Sequence, residues 1–190
     1  VKPLAVSVPT GSDPDYTYDG SAQTYTFTGW TAGKNNIAPI SVLVEEGEAV
    51  ISDAADAAAG TVSLTDAGNY TITLSLTDTT NFVWADGGDA EREFAFTINK
   101  ANNDLSVTVE NWTYDDGSAV VPSVSGNNSG AAVIYTVTGV TDTSYSQSGS
   151  WAEVKPVNAG QYTLTVSVQE TDNYNADTSE SVSFTISQKG

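Results

Sequence analysis

The chain has 190 residues, 39% hydrophobic and only 16% charged, with 24 acidic and 6 basic side chains and a net charge of −18. That balance argues against nucleic acid and against an anionic membrane surface as partners, because both need clustered Lys and Arg. The absence of Cys and His excludes disulfides, thiolate nucleophiles, Ser-His-Asp triads and the usual zinc sites.

In chain order, alternating or β-branched runs predict strands over 4–8, 15–19, 24–28, 39–45, 48–51, 61–64, 69–77 and 93–98. Between two of them, Ser52 to Gly60 holds five alanines with Ser or Asp before them and a closing Gly, and predicts one or two helical turns. Asp86-Gly87-Gly88-Asp89 predicts a hairpin turn. Strands follow over 105–109, 112–115, 119–124, 132–138, 151–154, 161–169 and 181–187. No apolar run is long enough to span a bilayer. Val1 opens directly into a strand-like segment, so no signal peptide is expected. The lack of any Met, a start Met included, suggests a piece of something longer.

The second series repeats the first. "DAGNYTITLSLTDTTNF" (Asp66 to Phe82) is answered by "NAGQYTLTVSVQETDNY" (Asn158 to Tyr174), 92 residues later. "FAFTIN" (Phe94 to Asn99) is answered by "VSFTIS" (Val182 to Ser187), and "YTYDGSA" (Tyr16 to Ala22) by "WTYDDGSA" (Trp112 to Ala119). A self-match of domain size means tandem domains, here 1–100 and 101–190. Seven or so short strands in about 95 residues suit an immunoglobulin-like sandwich. The expected fold is therefore all-β, two tandem immunoglobulin-like β-sandwiches placed end to end.

"AGNYT" and "AGQYT" have the spacing of the tyrosine corner of such sandwiches. Tyr70 and Tyr162 are expected to pin the turn through their hydroxyls. Gly68 and Gly160 are expected to allow a sharp bend. The junction "NKANND" (Asn99 to Asp104) contains neither Gly nor Pro and is too short for a free tether, so an elongated, monomeric pair is expected. Net charge divides as −10 for 1–100 and −8 for 101–190.

Taken together, "YDG" (Tyr18 to Gly20), the two corners, "NFVWADG" (Asn81 to Gly87), "TDNYN" (Thr171 to Asn175) and "FTINKA" (Phe96 to Ala101) resemble the bacterial immunoglobulin-like repeats of the MBG type. The resemblance covers both copies nearly end to end, though the second has "YDDG" and lacks "VWADG". It implies a secreted, cell-surface location and a stalk or adhesin role beside neighbouring repeats, with no catalytic residues.

Other chemistry is thin. Loop carboxylates at Asp13 and Asp15, Asp86 and Asp89, and Asp115 and Asp116 have the oxygens calcium needs but no EF-hand spacing; solvated turns are the preferred reading, and no cofactor is expected. Flat rings raise glycan or host-protein binding as the alternative function. Trp84 and Trp151, near loops, are the candidates for exposed contact, while Tyr16 with Tyr18 and Trp112 with Tyr114 share strand faces. Lys2, Lys34, Lys100, Lys155 and Lys189 occupy no inward strand position, which argues against an internal Lys–Asn crosslink.

Overall fold

The computed structural model describes residues 2–12, 15–33, 38–116 and 120–190. It is an all-β structure whose residues fall into two compact units, Val1–Lys100 and Ala101–Gly190.

The strands of the first unit are β1 (Leu4–Val6), β2 (Thr10–Gly11), β3 (Tyr16–Thr17), β4 (Gln23–Thr28), β5 (Ile40–Glu46), β6 (Ala49–Val50), β7 (Ala55–Asp56), β8 (Thr61–Leu64), β9 (Gly68–Leu76), β10 (Phe82–Trp84) and β11 (Arg92–Asn99). One sheet has the order β3-β11-β9-β5-β6 and another β2-β4-β8-β7, while β1 runs parallel to β10. β9 shows why the period-two pattern works. Tyr70, Ile72, Leu74 and Leu76 point inward and are buried, and Thr71 and Ser75 face outward. The two sheets share one core. Tyr25 of β4 meets Phe96 of β11 at 5.4 Å between ring centroids, and Phe27 of β4 meets Phe94 at 5.0 Å.

The second unit comprises β12 (Ser106–Thr108), β13 (Trp112–Thr113), β14 (Ser123–Ser125), β15 (Ile134–Gly139), β16 (Ser146–Gly149), α1 (Trp151–Val154), β17 (Gly160–Val168), β18 (Asp177–Thr178) and β19 (Val182–Ser187). Its large sheet has the order β13-β19-β17-β15-β16, with β18 on β17. Phe184 centres the core, stacked between Trp112 at 5.2 Å and Tyr162 at 5.4 Å. Among the described residues, the opposite layer holds the pair β12-β14 and α1.

Three expectations are corrected. The segment 52–60 is not helical: Ala55–Asp56 is a strand, and only one turn follows. There the Asp56 carboxylate accepts the Ala58 and Ala59 N–H groups, and the Gly60 N–H bonds the Asp56 carbonyl. The closing Gly60 is as expected, but the capping carboxylate is Asp56 rather than Ser52 or Asp53, and β7 pairs with β8 and takes the residues a helix would need.

The segment 151–154 is helical, not a strand. The Glu153 carboxylate accepts the Ser150 N–H and hydroxyl, the acidic half of a capping box. Trp151 and Val154, one turn apart, bury together, and Pro156 holds Lys155 in an extended conformation that ends the turn. Pro122, just before β14, has no N–H to give a ladder, which shortens the strand there.

Finally, Asp86–Asp89 forms a tight turn but no hairpin. The Trp84 N–H bonds the Gly88 carbonyl around Gly87 at φ 96°, yet β10 pairs with β1 rather than with the chain that follows.

Candidate functional site

The two tyrosines at the starts of β9 and β17 occupy equivalent places. The Tyr70 hydroxyl donates to the Asp66 carbonyl at 2.8 Å, and the Tyr162 hydroxyl donates to the Asn158 carbonyl at 3.0 Å. Each bond spans four residues and ties the loop back onto its strand. Burial raises the pKa of the Tyr70 hydroxyl, helped by the Glu46 and Asp66 carboxylates; burial, with a smaller effect of Asp142, raises that of Tyr162.

Neither Gly68 nor Gly160 has a positive φ, so neither makes the sharp bend expected of it. Both open a strand instead. Gly68 matters for space: a Cβ there would lie 2.9 Å from the Tyr70 ring and hydroxyl and 2.6 Å from Glu46 Oε1. At Gly160 the nearest Tyr162 atoms would be 3.5 Å away, an ordinary contact.

A second repeated arrangement gave no sign in the sequence. The Leu4 N–H donates to the Asn81 carbonyl at 2.8 Å, and the Ala101 N–H donates to the Asn173 carbonyl at 2.9 Å. Asn81 and Asn173 are the matched asparagines of the duplicated line. The entering chain of each unit is thus fastened to the loop that follows β9 or β17. In the second unit the buried Asn103 amide adds to this, donating to the Asn175 carbonyl and accepting the Ser129 N–H.

The aromatic candidates fail as contact residues. Trp84 is 0% exposed and Trp151 is 8% exposed. The Trp84 indole N–H bonds the Ala90 carbonyl, and Arg92 lies over its ring at 6.0 Å. The Trp151 indole N–H bonds the Val120 carbonyl. Proximity to loops in sequence did not mean exposure, because both rings turn into their cores and leave only a polar tip to be satisfied. Tyr16 and Tyr18 pack against the core of the first unit, and Trp112 against that of the second; Tyr114 is 46% exposed.

The carboxylates sit in turns. Asp86 pairs with Arg92 at 2.7 Å, and Asp115 with Lys189 at 3.3 Å. Among the described residues no group of three or more metal-ligating side chains occurs. Asp13 and Lys34 lie outside the described residues. Lys155 is partly buried, its ammonium 3.1 Å from the Val120 carbonyl and 5.5 Å from the centre of the Trp112 ring, and burial lowers its pKa. The sequence offered no hint of this nest, since it joins residues from three separate segments.

No protein-family model matches the chain, and no curated protein matches it. Among solved structures it is similar to the three N-terminal domains of the Highly Immunogenic Outer Capsid protein of bacteriophage RB49, with 17% identity and a TM-score of 0.32 over 96% of this chain. The chain spans 59% of the length of that capsid chain. It is also similar to fibronectin(III)-like modules of CbhA from Clostridium thermocellum, with 16% identity and a TM-score of 0.26 over 95% of each chain. A third similarity is to the two tandem V-type regions of a v-region-containing chitin binding protein, with 11% identity and a TM-score of 0.27 over 98% of each chain. Likenesses this distant leave function to the residues themselves.

Proposed function

We propose that the chain is a non-catalytic structural or adhesive module, two tandem immunoglobulin-like β-sandwich repeats of the MBG type within the stalk of a larger bacterial surface protein. One observation carries this reading: the same bonds are written twice. Each copy has its tyrosine hydroxyl on the carbonyl four residues back and its entering chain on the matched asparagine. Duplication of scaffold bonds suits a chain selected for architecture.

The strand order of the first unit supports the immunoglobulin-like assignment. A β2-β4-β8-β7 sheet facing β11-β9-β5-β6 has the A-B-E-D and G-F-C-C′ arrangement of that fold. The proposed partners are neighbouring repeats of the same polypeptide, on a monomer outside the cell. Glycan binding through Trp84 and Trp151 has no support, because neither ring is available.

The elongated arrangement belongs to the same proposal. Asn99 still accepts the Tyr18 N–H within the first unit, and Ala101 is already bonded within the second, so Lys100 alone separates them in sequence. Small-angle scattering on the monomer is the test. The expected maximum dimension is well above that of a compact 190-residue globule; a globular value would remove the argument for a stalk.

A further inference from the structure

In both units the central strand of the large sheet turns the same residues outward. Thr71 and Thr73 of β9 correspond to Thr163 and Thr165 of β17 in the duplicated line. Their cross-strand neighbours differ. In the first unit Leu43 of β5 stands opposite Thr73, Glu45 stands opposite Thr71, and Val50 of β6 stands opposite Glu45. On the other side, Glu93 of β11 stands opposite Thr73 and Ala95 opposite Thr71. Residues directly opposite one another in antiparallel strands share a face. In the second unit the register puts Thr136 opposite Thr165, Thr138 opposite Thr163, and Ser146 opposite Thr138. Ser183 stands opposite Thr163, where the first unit has Ala95, and Ser181 matches Glu93 in the aligned lines. A hydroxyl residue thus occupies each place that is apolar or acidic in the first unit.

The sheet itself does not ask for this difference, since the second unit builds the same strands with Thr and Ser. Leu43 and Val50 are exposed, and as diagonal neighbours on adjacent strands they form one apolar stripe. Thr73 faces outward between Leu43 and Glu93, yet is only 7% exposed, so its neighbours close over it. Carboxylates border the stripe at Glu45, Glu93 and Glu91, the last accepting the Ser75 hydroxyl at 3.3 Å. No Lys or Arg occupies an outward position on β5, β6, β9 or β11; Arg92 lies on the inner face, over Trp84.

We infer that this outer face of the first unit is a docking surface for a basic, amphipathic segment of another protein, with apolar anchors on Leu43 and Val50 and Lys or Arg on the flanking glutamates. Charge decides the occupant. A second copy would bring the same glutamates, in a unit of net charge −10, against their own likeness. Nucleic acid and anionic lipid are repelled for the same reason. A cationic segment is drawn in by the field of the unit and buries apolar surface on contact. This deepens the adhesive part of the proposed function and rests on it for its biological sense.

Fluorescence anisotropy on the full chain tests the surface. The probes are a labelled amphipathic Lys/Leu peptide and a Lys/Gln peptide of equal length and charge. The Lys/Leu peptide should bind, and the Lys/Gln peptide should bind roughly tenfold more weakly or worse, for want of apolar burial. Leu43→Thr with Val50→Ser gives the first unit residues that the second already folds with, and leaves the charge unchanged. It should weaken Lys/Leu binding by roughly tenfold or more, the effect of two aliphatic anchors. Glu45→Thr with Glu93→Ser should weaken it too and flatten its dependence on salt. Thr136→Ala with Ser146→Ala, on the matching face of the second unit, should change nothing. A circular dichroism melt of each variant shows that its units are folded.

No binding of the Lys/Leu peptide, equal binding of the two peptides, or unchanged binding in Leu43→Thr with Val50→Ser overturns the surface. The last two results would leave only attraction to net charge. Light scattering in which the chain pairs with itself, and ceases to in Leu43→Thr with Val50→Ser, would give the face to a second copy and overturn the proposal as well. Failure of the stalk reading shows instead in the small-angle scattering profile and leaves peptide binding untouched.

Discussion

The Tyr70 ring lies across Gly68 so closely that a side chain at residue 68 would overlap it, whereas Tyr162 leaves ordinary room above Gly160. Gly68→Ala should therefore cost about 1–3 kcal/mol through overpacking, since the Tyr70 ring is buried and cannot swing away. Gly160→Ala should be neutral or stabilising by up to about 1 kcal/mol, through loss of unfolded-state freedom. Denaturant unfolding of the two variants measures the contrast; equal effects would contradict it.

Removing either corner hydroxyl tests the corners themselves. Tyr70→Phe and Tyr162→Phe keep the ring packing and leave the Asp66 or Asn158 carbonyl without its donor. Each should cost about 1–3 kcal/mol. An unchanged melting temperature in both would show that the loops do not depend on the bond.

Trp84 and Trp151 should behave as core residues in solution. Intrinsic fluorescence should be blue-shifted and poorly quenched by acrylamide, and Trp84→Ala should cost about 3–5 kcal/mol. Because Trp30 and Trp112 are only partly buried, the quenching is read on a Trp30→Phe, Trp112→Phe variant, where efficient quenching would return Trp84 and Trp151 to the surface.

Acid stability should depend on turn carboxylates. Hydrogen bonds from the Asn81 side chain to Asp78, from Ser144 to Asp142 and from Ser150 to Glu153 hold these three groups below their ordinary pKa. A carboxyl depressed in the folded state contributes stability that is present above its unfolded pKa and lost as pH falls through the folded one. The loss should begin near pH 4, the ordinary carboxyl range, and continue below it. Chemical denaturation across pH 2–7 reads this out, and Asp78→Asn should flatten the profile.

Cutting the chain at Lys100 should give two halves that each fold with a β-type circular dichroism spectrum, because each unit has its own core. A half that stays unfolded would mean that the cores are interdependent.

The long central strands were legible because their constraint is local. In β9 and β17 one inward face forces an apolar residue at every second position, and Tyr70 to Leu76 and Tyr162 to Val168 display it, although Thr73 on the other face of β9 is buried too. The tyrosine bonds were legible for the same reason: donor and acceptor lie four residues apart. The turn around α1 was written in Ser150 and Glu153, but four residues with Trp and Val among them also read as a strand.

What the sequence determined by itself, then, was the all-β character, the duplication and the hydroxyl placement at each corner. These follow from periodicity and from contacts between near neighbours in the chain. Tertiary structure decided that Trp84 and Trp151 face inward, that Lys155 lies over Trp112, and that β3 and β13 run parallel to the strands that end their units. Those outcomes join residues tens of positions apart. They depend on which surfaces remain to be covered once the sheets have formed, and no local pattern of side chains encodes that.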